Sequence, residues 1–295
     1  MPNAHPRRFA SESMWRWAGW SLKRQSPIGK RLYYRPSGRA HTLTSPREKA
    51  SSQDLQVSVV IPVCNEQENV LPLAREIHAA LEGRYRFETI FVDDGSTDGT
   101  PQAVREARSS GMPEVRLIRH SVRSGQSAAV ATGVREARSP WIATLDGDGQ
   151  NDPADIPRLL DTALNAPSPR LRLVMGNRTT RRDTWLRRLS SRVANGVRGG
   201  LLEDGTPDTG CGIKVFDRSV FMDMPRFNHM HRFMPALFQR EGHEVVSVPV
   251  NHRERTRGQS KYGLHNRLWV GIVDLFGVMW LIRRASPRIQ IDEDA

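Results

Sequence analysis

From Val57 onward, short apolar runs rich in β-branched residues alternate with longer segments of helical character, and that alternation admits few folds. VSVVIPV (57–63), FETIFVD (87–93), VRLIRH (115–120) and WIATLD (141–146) each read as a strand. Between them lie NEQENVLPLAREIHAAL, a segment opened by Thr100 and Pro101, and GQSAAVATGVREA, whose small residues permit close helix packing. Asn65 is expected to cap the first helix, with Glu68 three residues on as in a capping box. Thr100 is expected as N-cap of the second, with Pro101 at its first position. Strands with no polar alternation are buried on both faces, so an α/β fold is expected, a mostly parallel sheet flanked by helices. Later strands are expected at LRLVMGNR (171–178), IKVFD (213–217) and EVVSVPV (244–250), with a helix in HRFMPALFQREG closed by Gly242 and a cap at Asp152.

Such sheets bind ligands beyond the carboxyl ends of their strands. The loops NE after the first strand, DDGSTDGT after the second and DGDGQ after the fourth should therefore open onto one crevice. The stretch TLDGDGQNDP sets Asp146 and Asp148 one residue apart at a strand end. A solvated turn would account for them, since Asp-Gly pairs favour turns. An EF-hand does not, because Asn151 and Pro157 stand where Gly and Glu are required. The remaining reading is a hard divalent cation, Mg2+ or Mn2+, bridging Asp146 and Asp148 to a diphosphate, with Gln150 as a further oxygen. Without a cation the two carboxylates would repel that diphosphate.

The chain has 295 residues and a net charge of +12, but the charge is uneven. Residues 1–54 hold eleven basic against three acidic residues, eight of the twelve net charges. They read as a disordered basic extension, with contact to an anionic membrane through Trp15, Trp17 and Trp20 as the alternative. The rest is only mildly basic, so no nucleic-acid partner is expected. Residues 55–262 read as one catalytic domain and 263–295 as an amphipathic helix with a polar tail. Within the last segment, Leu268 to Ile282 is a fifteen-residue apolar run interrupted by Asp274. That is short for a span. It either packs on the domain or lies at a membrane interface anchored by Trp269, Trp280, Arg283 and Arg284. Cys64 and Cys211 form neither a disulfide framework nor a zinc motif. The N-terminus lacks the apolar core of a secretory signal, which points to the cytoplasm. No GxGxxG follows the first strand, disfavouring a dinucleotide-dependent dehydrogenase, and no P-loop pattern occurs.

VVIPVCNEQENV, VDDGSTDGT and LDGDGQNDP, followed by TGCGIKVF, HRFMPALF and RERTRGQSKYG, carry a family resemblance. In this order the chain resembles family 2 glycosyltransferases of GT-A fold, nearest the dolichol-phosphate mannose synthase-like, polyprenyl-phosphate glycosyltransferase branch, over about residues 57–270. The resemblance implies a metal-dependent, inverting transfer of one sugar from GDP-mannose or a UDP-sugar to a polyprenyl phosphate. It also implies an enzyme peripheral to the inner face of the cytoplasmic membrane. It implies nucleotide contacts at Pro62, Asn65, Glu66, Asp93, Asp94, Gly125 and Gln126, and a metal and diphosphate site at Asp146, Asp148 and Gln150. Arg178, Arg255, Ser260 and Lys261 would meet phosphates. Cys64 stands where the family often has Tyr, so an aromatic contact there does not carry over.

Elementary chemistry agrees. A polyprenyl phosphate is an anion near neutral pH and attacks without a general base, provided cations cancel the charge of two anionic reactants. Arg253, Arg255, Arg257 and Lys261 around Gly258 are the candidates. The neighbouring reading, transfer to a saccharide or lipid hydroxyl in cell-envelope polysaccharide synthesis, would need a carboxylate base. His229 and His231 lack a zinc motif and read as capping or surface contacts. Cys211 marks a tight turn, and Asp208 before it is a candidate for orienting the acceptor loop.

Overall fold

In the computed structural model, which describes residues 55–178, 199–202, 204–254 and 264–285 (264–270 by backbone alone), the strands join one seven-stranded sheet. They are β1 Val57–Val63, β2 Phe87–Asp93, β3 Val115–Arg119, β4 Trp141–Thr144, β5 Leu171–Arg178, β6 Lys214–Asp217 and β7 Glu244–Val250. Their order is β3-β2-β1-β4-β6-β5-β7. Only β6 runs against its neighbours β4 and β5, so the expected mostly parallel sheet is observed with one reversed strand. The helices are α1 Gln67–Leu81, α2 Thr100–Ser109, α3 Gln126–Glu136, α4 Ile156–Leu164, α5 Arg218–Asp223, α6 Met234–Arg240 and α7 Leu264–Arg283.

The two-sided burial predicted from the strands is explicit in β1. Val57, Val59, Ile61 and Val63 enter one core with Val70, Ile77 and Leu159, while Val60 enters the other with Val130, Phe216 and Leu237. The small residues of α3 do bring it close to the sheet. A Cβ on Gly133 would lie 2.3 Å from Cγ1 of Val60, so only glycine fits there.

Two caps differ from expectation. Asn65 adopts φ 52° and precedes the N-cap of α1, Glu66, which makes no side-chain cap bond. Its Oδ1 instead accepts the Thr97 N–H at 2.8 Å, tying the loop after β1 to the loop after β2. The N-cap of α2 is Gly99, one residue earlier than expected. Thr100 then uses its hydroxyl to accept the Glu66 N–H at 2.8 Å and to donate to Asp98 at 2.6 Å. In both places tertiary ties between loops outweigh the local capping preference. Asp152 does cap, accepting from the Ala154 N–H, and Gly242 closes the chain after α6 at φ 74°.

Helix α7 resolves part of the choice left open by its sequence. Val278 belongs to the second core, Leu275, Met279 and Ile282 pack partly buried against it, and the Arg240 Nε–H bonds the Leu281 carbonyl at 3.0 Å. The opposite face carries Val273, Phe276 and Trp280, each more than 60% exposed. Among the described residues no helix is long and apolar enough to cross a membrane. The basic extension, and Arg255 to Lys261, lie outside the described residues.

Candidate active site

The predicted nucleotide residues gather at the carboxyl ends of β1 and β2, where three loops are laced together. Asp93 is fully buried; its carboxylate accepts the Ser96 N–H at 2.9 Å and the Arg119 Nε–H at 2.8 Å. Asp94 accepts the Ser124 and Gly125 N–H groups, both at 2.7 Å, and pairs with His120 Nδ1 at 2.8 Å. Burial pushes its pKa up, but these bonds outweigh burial and hold it below the usual carboxylate range. Asp94 thus shapes the bed of the site by fixing the loop before α3, while Asp93 fixes the loop after β2 to the end of β3. Gly95 shares that work: its φ is +72°, and a Cβ there would meet the Arg123 nitrogen at 2.8 Å. Asn65 and Glu66 sit at the same end, the Asn65 N–H donating to Ser96 Oγ at 2.8 Å.

Just past the end of β4, Asp146 is half-buried. Its Oδ1 accepts from Gln126 Nε2 at 2.8 Å, and its N–H donates to Asn151 Oδ1 at 3.0 Å. Burial first, and the charge of Asp148 second, raise its pKa, while Lys214 and Arg178 pull it down. A like-charged pair of half-buried hard oxygen donors is a donor set that suits Mg2+ or Mn2+. Among the described residues no group of three or more His, Cys, Asp or Glu converges on one point. Such an ion would therefore fill its shell with water and diphosphate oxygens, as Mg2+ commonly does. Gln150 uses its main-chain N–H on Asp148 Oδ1 at 3.2 Å and its amide nitrogen on the Arg253 carbonyl at 3.4 Å, leaving the amide oxygen as the candidate ligand.

Inward from Asp146 a cavity of about 470 Å³ opens, lined by Pro62, Gln126, Asp146, Arg178, Lys214 and His231 among others. Arg178 is there as predicted, gripped by Asp208 through Nε (2.6 Å) and Nη2 (2.7 Å). Two of its five N–H groups are engaged in that fork, and three remain. Asp208, expected to orient a loop, orients this guanidinium. Lys214 is buried, donates to the Cys211 carbonyl, and has its pKa lowered by burial. Burial raises the Cys211 thiol, which fits a structural turn residue and not a nucleophile.

Two readings change. His231 is not a surface contact: it lines the cavity, with Nδ1 2.7 Å from Ser127 Oγ. Its neighbour His229 stands at the N-cap position of the short turn 230–232, at φ 63°, but makes no side-chain cap bond there and pairs instead with Asp274 of α7 at 2.9 Å. Arg253, a candidate for phosphate, spends its charge on two carboxylates instead, Glu76 (2.6 Å) and Asp152 (2.7 Å). It fastens the loop after β7 to the loop after β4, where Asn151 and His252 form an antiparallel bridge. Lys214, Asn151 and Gly212 also stand at the site, though nothing in the motifs had marked them individually. A lysine inside the apolar run IKVF was the available signal for the first.

Residues 58–224 match the family described as Glycosyl transferase family 2. The dodecaprenyl-phosphate galacturonate synthase of Rhizobium johnstonii is 35% identical over 240 residues, 80% of this chain and 70% of that protein. The undecaprenyl-phosphate 4-deoxy-4-formamido-L-arabinose transferase of Edwardsiella ictaluri is 34% identical over 210 residues. That match covers 70% of this chain and 63% of the relative, so the chain spans less than two thirds of that protein. Among solved structures, glucosyl-3-phosphoglycerate synthase from Mycobacterium tuberculosis, in complex with Mn2+, UDP and glucosyl-3-phosphoglycerate, superposes with a TM-score of 0.59 at 16% identity. The alignment covers 87% of this chain and 88% of that one. A mannosyltransferase from Pyrobaculum calidifontis in complex with GDP-Man and Mn2+ gives 0.54 at 19% identity, covering 80% and 66%. These likenesses bear on the fold alone, which they give as GT-A. With the family pattern over more than half its length and relatives above 30% identity, the chain belongs to glycosyl transferase family 2 and is a glycosyltransferase.

Proposed function

We propose that this chain moves one sugar, with inversion, from a nucleotide-sugar donor to a polyprenyl phosphate at the cytoplasmic face of a membrane. The observation that carries the reading is the charge inventory of the cavity. Asp146 is the one carboxylate among its described lining residues, against Arg178, Lys214 and Arg232. A hydroxyl acceptor needs a carboxylate base beside the sugar. Asp146 belongs with Asp148 in the cation site, and Asp208 is bound to Arg178. A phosphate acceptor needs cations and no base, which matches what is present. The names of both relatives, a dodecaprenyl-phosphate and an undecaprenyl-phosphate enzyme, support the same acceptor class.

In this reading Asn65, Glu66, Asp94, Gly125 and Pro62 form the nucleoside end. Asp146, Asp148 and Gln150 hold Mg2+ or Mn2+, which when bound would neutralise the departing diphosphate. Arg178, with Arg255 and Lys261, receives phosphate oxygens. The exposed Val273, Phe276 and Trp280 face of α7 supports peripheral contact with the bilayer that holds the lipid. The test is a donor screen of GDP-mannose, UDP-glucose and UDP-galacturonate against short-chain polyprenyl phosphate with Mg2+ or Mn2+. A glycosyl phospholipid should form with one donor and should fall at least 100-fold in Asp148→Asn. Product formed equally well by the variant at saturating metal would remove the cation site from the mechanism.

A further inference from the structure

Two consecutive residues at the start of α3 each hold a cavity side chain. Gln126 holds Asp146, and Ser127 holds His231. The second bond fixes more than position. Ser127 is buried, and its hydroxyl oxygen has two partners, the His231 main-chain N–H at 3.5 Å and His231 Nδ1 at 2.7 Å. A buried hydroxyl proton left without an acceptor costs about 1–3 kcal/mol. The main-chain N–H is itself a donor, so Nδ1 is the acceptor within reach for the Ser127 proton. Nδ1 therefore carries no hydrogen, and the neutral ring bears its proton on Nε2. Nε2 makes no hydrogen bond to any described residue. Burial first, then Lys214, Arg232 and His229, hold the ring's pKa down at about 3, so it stays neutral under working conditions.

Of the residues given to the nucleotide, Pro62 and Gln126 line the cavity that His231 lines, together with Asp146, whereas Asn65, Glu66, Asp93 and Asp94, at the β1 and β2 loops, do not. A donor whose diphosphate sits at Asp146 and whose base lies at the β1 and β2 loops must then direct its sugar into this cavity. We propose that His231 presents a fixed Nε2–H donor to an oxygen of that sugar, with Ser127 setting the tautomer, a role that rests on the glycosyl-transfer reading. His231 is then a specificity-determining contact for the transferred group, and Ser127 a positioning residue.

The experiment compares UDP with UDP-glucose and UDP-galacturonate, binding measured by titration calorimetry with Mn2+ present. His231→Leu should lose tenfold or more in affinity for the UDP-sugar that binds wild type best, while UDP affinity changes less than twofold. His231→Gln, whose amide nitrogen takes the place of Nε2, should recover most of the loss. Equal weakening for UDP and UDP-sugar, or no weakening for either, overturns the proposal. Imidazole 15N spectra of the full chain at pH 7 should show an Nε2–H ring in wild type and a mixture in Ser127→Ala; an Nδ1–H ring in wild type also overturns it. If neither UDP nor GDP binds wild type, the transfer reading itself fails, a result distinct from a sugar nucleotide that binds indifferently to His231.

Discussion

Gly212 shows how close the backbone must come to the acidic site. A Cβ there would lie 2.2 Å from Oδ2 of Asp146 and 2.6 Å from Oδ1 of Asn151, so any side chain displaces the carboxylate. Neither Gly212 nor Gly210 has a positive φ; what TGCG requires at 212 is absence of bulk, not turn conformation. Gly212→Ala should lower transfer about 100-fold, the scale on which a misplacement of about 1 Å acts. Gly199→Ala, whose Cβ meets nothing within 4 Å, is the control and should be neutral. Steady-state rates decide, and full activity in Gly212→Ala would refute the close approach. His231 yields a pH prediction. Its folded pKa, about 3, is depressed below the unfolded value, so its neutral form's stability is complete above about pH 6.5 and is lost as pH falls toward 3. Urea unfolding should weaken by up to about 1.4 kcal/mol per pH unit across that window, and His231→Gln should flatten the slope. At this scale Asp146 and Asp148 were legible as candidates because two acidic residues at a strand end ask for a counter-charge, and Arg178 only through the family resemblance. Gly212 and His231 were not, because close approach and burial depend on residues far away in sequence.

Among the elements, α7 carries two faces with different duties. Val278 is fully buried, so Val278→Ala should cost about 2 kcal/mol in unfolding free energy. Phe276 and Trp280 each expose 62% of their surface, and surface replacements away from special features change stability by about 0.5 kcal/mol or less. The double variant Phe276→Ser with Trp280→Ser should therefore melt like wild type, yet lose most of its sedimentation with vesicles containing anionic lipid. Unchanged vesicle binding would assign the face some other duty. The apolar run of α7 was plain from sequence, but its facing was not. Asp274, which looked like an interruption of an apolar run, turned out to be the partner of His229, linking this helix to the turn that bears His231.

For the whole molecule, the apolar runs disclosed every described strand within about two residues, most plainly in β1 and β2, whose buried faces show in their own residues. The reversal of β6 was hidden, because strand direction is set by connections and not by the strand's own residues. What assembles the site is the lacing of loops from opposite parts of the chain: Asn65 to Thr97, Asp94 to Gly125, Gln126 to Asp146, and Arg253 to Asp152. A ligand that engages several of these loops at once should stabilise the fold by mass action, about 2.7 kcal/mol at one hundred times its dissociation constant. For a domain of this size that corresponds to roughly 5–10 °C in melting temperature. If Asp146, Asp148 and Gln150 are the cation site, Mn2+ alone would meet only two carboxylates and a neutral amide, and nucleoside diphosphate alone would meet those carboxylates unscreened, so each alone should shift the melt by little. Together they should raise it by more than the sum of their separate effects, and Asp148→Asn should abolish the excess while leaving the unliganded melt nearly unchanged. Calorimetric scans with UDP and with GDP would also rank the two bases. Strictly additive shifts would mean that metal and diphosphate do not share Asp146 and Asp148.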